Sequence, residues 1–251
     1  MIKFFRKIRQ KMLTENKFSK YLIYAIGEII LVVIGILIAL QINNWNENNK
    51  TRNQELALLK SLKFEMEENV IMIDLHLEYL NNMKLNYDRI LSLTNPNYIE
   101  KKEDSLQYAL TNIFTISTFL PKNTELNAAQ NSNSIRLIRN KKITTGLSKW
   151  ILQSEFVINF GSTANEYYNN TLVPTVLNYY QLKNITYDRS NGNNGTVSKH
   201  KSNLEKLFRN RVFENNLYRM NTLIRIRASY AADLKVETLN LIQLLNKELN
   251  N

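Results

Sequence analysis

Large hydrophobic residues recur at alternating spacings of three and four in two long stretches of the chain, 59–90 and 213–245. This spacing places the residues on one side of an α-helix, where they form a seam that packs against a partner helix, as in a coiled coil. The first seam comprises Leu59, Leu62, Met66, Asn69, Ile73, His76, Leu80, Met83, Tyr87 and Ile90, and the second comprises Phe213, Leu217, Met220, Ile224, Arg227, Ala231, Leu234, Thr238, Leu241 and Leu245. Each stretch therefore predicts a long helix with one buried side.

Capping patterns and turn-forming residues set the expected limits of these two helices. Thr51-x-x-Gln54 is a capping-box pattern that should open the first, and Asn95-Pro96-Asn97 should end it. The second is expected over about 211–249. Two helices of this length pack most simply antiparallel, so the sequence predicts an antiparallel helical bundle over residues 51–251.

Shorter helices are predicted between the two long ones. They cover 101–119, 124–131, 141–168 and 170–182, and Val173-Pro174 should bend or break the chain. Ser202-x-x-Glu205 should cap one more short helix. Only 6 glycines and 3 prolines occur in 251 residues, which favours helices over sheets. The predicted fold class is all-α.

A third hydrophobic stretch, residues 22–42, has almost no polar interruption. Of its 21 residues 14 are Leu, Ile or Val. As a helix it would be ~30 Å long, which is the thickness of a bilayer core. A signal peptide has a shorter apolar core and a small-residue cleavage site, and IALQINNW offers none. The sequence therefore predicts one transmembrane helix over 21–43, with Tyr21, Tyr24 and Trp45 as aromatic anchors at the two interfaces.

The charge of the chain is concentrated beside this stretch. Residues 1–20 hold seven Lys or Arg and one Glu, so they supply most of the net charge of +11. A nucleic-acid-binding domain would spread such an excess over its folded part, and we therefore expect no nucleic-acid partner. The positive-inside rule predicts that 1–20 is a basic cytoplasmic tail, either a plain topology signal or a segment lying on the anionic leaflet. The main topology residues are Lys3, Arg6, Lys7, Arg9 and Lys11.

One acidic residue, Glu28, interrupts the apolar stretch. On a helix it shares a face with Gly35 and Ala39, which form a small-xxx-small pair that allows another helix to approach closely. We predict that these three residues form a contact face for a second membrane helix. Two other interpretations of Glu28 remain: a tolerated acid near the membrane edge, and one member of a proton or ion relay.

Two parts of the chain resemble an uncharacterised family of small membrane proteins from flavobacteria and related Gram-negative bacteria. The first is MIKFFRKIRQ with YAIGEIILVVIGILIALQINNWNE, and the second is SIRLIRNKKI with the LS at 147–148. The resemblance implies a single-pass inner-membrane protein with a helical outer domain, and no assigned activity. The acid inside the span recurs in that family, and Glu28 stands at its position. Relatives have a glycine before the second block, where this chain has Asn133-Ser134.

The chain offers little catalytic chemistry. It has no cysteine and two histidines, and neither histidine stands in the Glu-x-x-His pattern of a di-iron bundle. His76 is expected to be a satisfied, partly buried seam residue, and His200 lies in a basic loop. The acids Glu65, Glu67 and Glu68 are expected on a solvated helix face. No catalytic residue, metal ligand or cofactor is predicted.

Two further clusters have both a structural and a binding interpretation. An apolar-aromatic stripe at helical spacing is typical of core packing, with a ligand pocket as the alternative. It comprises Trp150, Val157, Phe160, Ala164 and Tyr167. A basic patch is either a solvated face or a site for an anionic headgroup or ligand. It comprises Arg136, Arg139, Lys141 and Lys142.

The sequence favours an interaction protein of the cell envelope. We expect a helical bundle on the periplasmic side of the bacterial inner membrane that binds the bilayer and a protein partner or a second copy of itself. The first alternative is a ligand-sensing extracytoplasmic domain; because only about 20 residues lie in the cytoplasm, it would act through a membrane partner. The second is an envelope hydrolase, which would need polar residues converging on a concave pocket.

Overall fold

The computed structural model describes residues 18–95, 106, 109–111, 113–114, 116–182 and 198–250, with side chains from residue 22 onward. Within these ranges every regular element is helical, which confirms the predicted fold class. The basic tail up to residue 17 lies outside the described residues. Contacts divide the chain into two compact units, Met1–Ala57 and Leu58–Asn251.

The first helix, α1, extends over Phe18–Leu93 and has 76 residues. Thr51 therefore lies inside α1, and the prediction that a new helix opens there is wrong. Residues 43–57 contain no glycine and no proline, so nothing in this stretch ends the helix that precedes it. A capping-box pattern stabilises a helix start only where the chain has already left the helical conformation. The helix ends at Leu93, just before Asn95-Pro96, as predicted.

The first unit contains the apolar stretch 22–42, which is part of α1. Its Leu, Ile and Val side chains are exposed throughout, and no residue of its most apolar window is buried. By length and composition this part of α1 is able to cross a membrane. The soluble alternative for so apolar a helix, burial in a protein core, does not apply to it in this structure.

The second unit contains the later part of α1 and the remaining elements. These are α2 (Thr124–Asn131), a 3₁₀ turn (Ser134–Leu137), α3 (Lys141–Tyr167), a π-helical turn (Tyr168–Leu172), α4 (Val173–Leu177), α5 (Leu204–Phe208) and α6 (Arg211–Leu249). Helix α3 packs along α6. Helices α2, α3 and α6 match their predicted ranges within a residue or two.

The prediction of a helix over 101–119 is wrong in its last part, since residues 116–120 are not helical. Two causes act here. Pro121 disfavours helical geometry in the residue before it. The side chain of Asn69 also binds both backbone groups of Lys122: Nδ2 donates to the Lys122 carbonyl (2.7 Å) and Oδ1 accepts from its N–H (2.8 Å). These two hydrogen bonds hold the non-helical segment before Lys122 against α1.

The cap prediction is wrong, and the proline prediction is wrong in one of its two alternatives. Pro174 does not break the chain, because it lies in the first turn of α4, directly after the π-helical turn, whereas a bend at Val173-Pro174 stays a prediction. The predicted helix over 170–182 ends at Leu177. The N-cap of α5 is Asn203, whose side chain accepts from the N–H of Lys206 (3.0 Å). Ser202 accepts instead from the N–H of Gln181 (3.0 Å).

The core of the second unit is built by the two seams. All twenty seam residues are buried, which confirms the periodicity argument at every position. Their large hydrophobic members divide between two hydrophobic clusters, one around residues 80–93 of α1 and 213–224 of α6, the other around 59–73 and 234–245. On both helices a polar residue lies between the clusters, His76 on α1 and Arg227 on α6.

Candidate functional site

The predicted contact face of Glu28, Gly35 and Ala39 lies on α1, in the first unit. Spacings of seven and four place the three residues on one side of the helix. Gly35 and Ala39 are exposed, and a side chain added at Gly35 would find no atom within 4 Å. Glu28 is partly exposed. The three residues therefore share one side of α1, which is exposed at Gly35 and Ala39, and their role as a contact face stays a prediction.

The predicted interface anchors are described only in part. Trp45 is exposed and Tyr24 is partly exposed. The side chain of Tyr21 lies outside the described residues, as do the topology residues Lys3, Arg6, Lys7, Arg9 and Lys11.

The second unit holds a polar layer that consists of the buried His76 and Arg227, the partly buried Tyr79 and the carbonyl of Ser117. Arg227 is only 1% exposed. Its Nη2 donates to the Ser117 carbonyl at 2.8 Å, whereas Nε and Nη1 have no hydrogen-bond partner. Buried N–H groups are nearly always satisfied in proteins, so a guanidinium with two unsatisfied nitrogens is unusual.

No described carboxylate shifts the pKa of Arg227. Burial lowers the pKa of the guanidinium itself, and the nearby Tyr79 opposes that effect. Burial, together with the positive charge of Arg227, lowers the pKa of His76 from 6.5 to about 4. Burial raises the pKa of Tyr79 above 10.0. At neutral pH the layer therefore holds one cation, one neutral imidazole and one neutral phenol.

The ring of His76 packs near two aromatic rings. Its ring lies 5.3 Å from that of Phe119 and 6.3 Å from that of Tyr79, measured between centroids. His76 is thus buried among rings, close to the structural role predicted for it. The unsatisfied state of Arg227 was not predicted. Its only signal in the sequence was a charged residue at a seam position, between Ile224 and Ala231.

The prediction of a solvated acidic face over residues 65–68 is wrong for Glu65. This side chain is 1% exposed and accepts hydrogen bonds from the N–H groups of Glu125 (2.6 Å) and Leu126 (3.1 Å). These are two of the unpaired N–H groups at the start of α2, so Glu65 acts as a cap supplied by another helix. Burial raises the pKa of Glu65 above 4.5, and the two N–H donors oppose that shift. Glu67 is exposed, as predicted, and Glu68 pairs with Lys122.

The two remaining clusters are a core stripe and an exposed basic surface. Trp150, Val157 and Ala164 are buried, and Phe160 and Tyr167 are partly buried, so the stripe is mainly packing. The side chains of the basic patch are exposed on the surface of the second unit; they are Arg136, Arg139, Lys141 and Lys142. An open groove of about 420 Å³ borders this patch, lined by lysines, Glu237 and leucines of α6.

The described residues contain no group of three or more His, Asp or Glu side chains arranged to hold a metal ion. His200 is exposed, and His76 lies among aromatic rings with a neutral imidazole. The arrangement offers two unsatisfied nitrogens at the buried Arg227 and an exposed side of α1 at Gly35.

Comparison with known proteins links part of the chain to a family. Residues 28–148, just under half of the chain, match a family described as a family of unknown function, DUF6090. The match includes Glu28, Gly35 and Ala39. It also includes Glu65, which caps α2, and the second block of the resemblance. It ends before α6 and Arg227. No curated protein and no solved structure matches the chain. Residues 28–148 are therefore similar to a domain family without an assigned activity.

Proposed function

We propose that the protein is a membrane-anchored interaction protein of the bacterial cell envelope. Its first unit anchors it in the bilayer and offers a helix contact face, and its second unit is a helical bundle on the periplasmic side. The partner is another membrane protein or a second copy of this chain.

One observation carries the proposal: the apolar stretch 22–42 is exposed along its whole length. Its fourteen Leu, Ile and Val residues would each cost roughly 1.5–3 kcal/mol if left in water rather than buried. A bilayer provides that burial for an isolated helix, because all backbone groups are satisfied within the helix itself.

The assignment to the inner membrane and the proposed orientation are inferred from the sequence. Seven Lys and Arg precede the span, whereas only Glu47 is charged between the span and Lys50. The positive-inside rule then assigns residues 1–20 to the cytoplasm and 51–251 to the periplasm.

We also infer that the two long helices of the second unit run antiparallel. Asp74 of α1 pairs with Lys235 of α6 at 2.7 Å. Asp88, fourteen residues further along α1, accepts from Asn221 of α6 at 2.6 Å. Contacts further along α1 are therefore made with residues earlier in α6, as expected for an antiparallel pair.

The contact face is where we expect association within the membrane. A helix can approach closely at Gly35 and Ala39, because neither residue holds it off with a large side chain. Glu28 lies on the same side and can contribute a hydrogen bond across the interface.

Cysteine crosslinking in membranes tests this face, and the chain has no native cysteine to interfere. Ala39→Cys should give a crosslinked dimer or an adduct with a partner, because Ala39 lies on the proposed interface. Adding Gly35→Ile to that variant should abolish the product, since its bulk prevents close approach. Ile30→Cys is the matched control, because Ile30 is exposed on another side of α1 and should face lipid. Equal crosslinking from Ala39→Cys and Ile30→Cys would refute the contact face.

The alternative function, a ligand-sensing domain that acts through a membrane partner, is favoured by one observation. The buried Arg227 has two N–H-bearing nitrogens without a partner, which is a feature of sites that await a ligand.

A further inference from the structure

The guanidinium of Arg227 is a buried charge without a counter-charge in the described structure. Its one hydrogen bond goes to the carbonyl of Ser117, a neutral acceptor. The groups that shift its pKa are the burial itself and Tyr79, and no described carboxylate contributes. A buried cation without a paired anion is strongly unfavourable, so proteins rarely retain one without a compensating partner.

The two unsatisfied nitrogens give the missing partner its chemistry. Nε and Nη1 are donors only, and an arginine is always protonated in proteins. The partner must therefore accept hydrogen bonds and carry negative charge. The N–H of Nε shares one edge of the guanidinium with Nη2, and Nη1 shares another edge with Nη2. A carboxylate or a monatomic anion therefore binds at one of these edges, where it accepts from one of the two unsatisfied nitrogens and can also accept from the second N–H of Nη2.

The described neighbours of Arg227 include aromatic rings, a backbone carbonyl and a glycine. The ring of His76 lies in the same polar layer, 5.3 Å from the ring of Phe119. A Cβ added at Gly161 of α3 would stand 3.9 Å from Nη2, so Gly161 itself places no side chain against the guanidinium. The Ser117 carbonyl that accepts from Nη2 belongs to a non-helical segment, and Ser117 and Thr118 of that segment are exposed. We therefore expect a small anion to reach Arg227 past this segment.

We propose that Arg227, in the layer formed by α1, α3 and α6 of the second unit, is the centre of a buried binding site for a small anion. The ligand is a halide ion or a single carboxylate group, held on one edge of the guanidinium in the layer that contains His76. It supplies the counter-charge that the described side chains lack. Binding stabilises the second unit, because the anion binds the folded chain and not the unfolded one.

Thermal unfolding of the full chain in a non-ionic detergent tests the site. Sodium chloride and sodium acetate are titrated separately, at constant ionic strength, against the wild-type protein, Arg227→Met and Arg225→Met. The exposed Arg225 on the same helix is the matched control. In the wild type and in Arg225→Met we expect Tm to rise by roughly 5 °C once the anion exceeds its Kd about a hundredfold. In Arg227→Met the rise should disappear. A rise with chloride alone assigns a halide, and a rise with acetate alone assigns a carboxylate.

The histidine signals give a second readout by NMR, because the chain has only two, His76 and His200. The bound anion offsets the charge of Arg227, so it should raise the pKa of His76 and leave the signals of His200 unmoved. The proposal is overturned if neither salt raises Tm, or if Arg227→Met responds as strongly as the wild type. Water would then be the partner of Nε and Nη1.

Discussion

Glu65, Asn69 and His76 are three polar residues of α1 that are buried for different reasons. Glu65 and Asn69 bind backbone groups of the segment 122–126. Each side chain thereby replaces hydrogen bonds that these backbone groups would otherwise make to water. His76 instead lies among aromatic rings and stays neutral because it is buried beside Arg227. The first two side chains therefore position a neighbouring element, and the third makes the stability of the second unit depend on pH.

The pKa of His76 predicts the direction of that dependence. It is lowered from 6.5 to about 4, so between these values the unfolded chain binds a proton that the folded chain does not. The contribution of His76 to the unfolding free energy is complete above pH 6.5 and is lost as the pH falls through 4. The loss amounts to about 3 kcal/mol, at 1.36 kcal/mol for each unit of pKa.

Urea unfolding of the wild type and His76→Phe at a series of pH values measures this loss. Phenylalanine keeps a ring beside Phe119 and cannot titrate, so the difference in unfolding free energy between the two proteins should shift by about 3 kcal/mol in favour of the variant as the pH falls from 6.5 to 4. His200→Gln, at an exposed position, is the control and should follow the wild type. A constant difference between wild type and His76→Phe would show that His76 titrates alike in both states.

At the scale of the element, two parts of the same helix, α1, differ in the environment of their side chains. Its residues 22–42 are apolar on every side and exposed, whereas the first seam follows a strict three-four spacing and is buried. Helix geometry is the same in both parts. Only the hydrophobic pattern differs, and it indicates a single lipid or protein environment for the first part and two environments, core and solvent, for the second.

A pair of isoleucines in α1 tests the seam. Ile73 is fully buried in the seam, and Ile71 is 62% exposed on the other side of the helix. Ile73→Asp should lower the unfolding free energy by roughly 3–5 kcal/mol, because it buries a charge that has no partner. Ile71→Asp should change it by less than about 0.5 kcal/mol. Urea unfolding of the full chain followed by circular dichroism compares the two, and equal losses would contradict the assignment of the core side.

At the scale of the whole molecule, the two units differ in how their apolar residues are covered. The second unit contains both hydrophobic clusters, so its apolar residues are largely covered by its own helices. The first unit exposes its apolar residues and needs an environment that the chain does not supply. The proposed function assigns that environment to the bilayer and to a partner helix.

Reporter fusions test the resulting topology. A reporter that is active only outside the cytoplasm should work after Asn251 and fail after Lys17 of a truncated chain, because the cationic tail resists translocation. Replacing Lys3, Arg6, Lys7 and Arg9 by glutamate should weaken or invert this preference. Activity of the reporter after Lys17 in the original sequence would reverse the proposed orientation.

The sequence by itself determined the helical class, the apolar stretch and all twenty seam positions. Each of these depends on the spacing of residues within one helix, and that spacing is fixed by 3.6 residues per turn wherever the helix lies. The Gly35 and Ala39 pair follows from the same geometry. The limits of the helices were less predictable. Thr51-x-x-Gln54 matches the pattern of a helix start, whereas in the structure α1 continues through it, in a stretch without glycine or proline.

Only the tertiary structure decided which polar residues are buried, and against what. Glu65 is a cap because α2, sixty residues further along the chain, begins beside it. Among the described residues Arg227 has no carboxylate partner, and its Nη2 donates to the carbonyl of Ser117, 110 residues away. The burial of a charged side chain depends on contacts between distant segments, and local spacing carries no information about which segments meet.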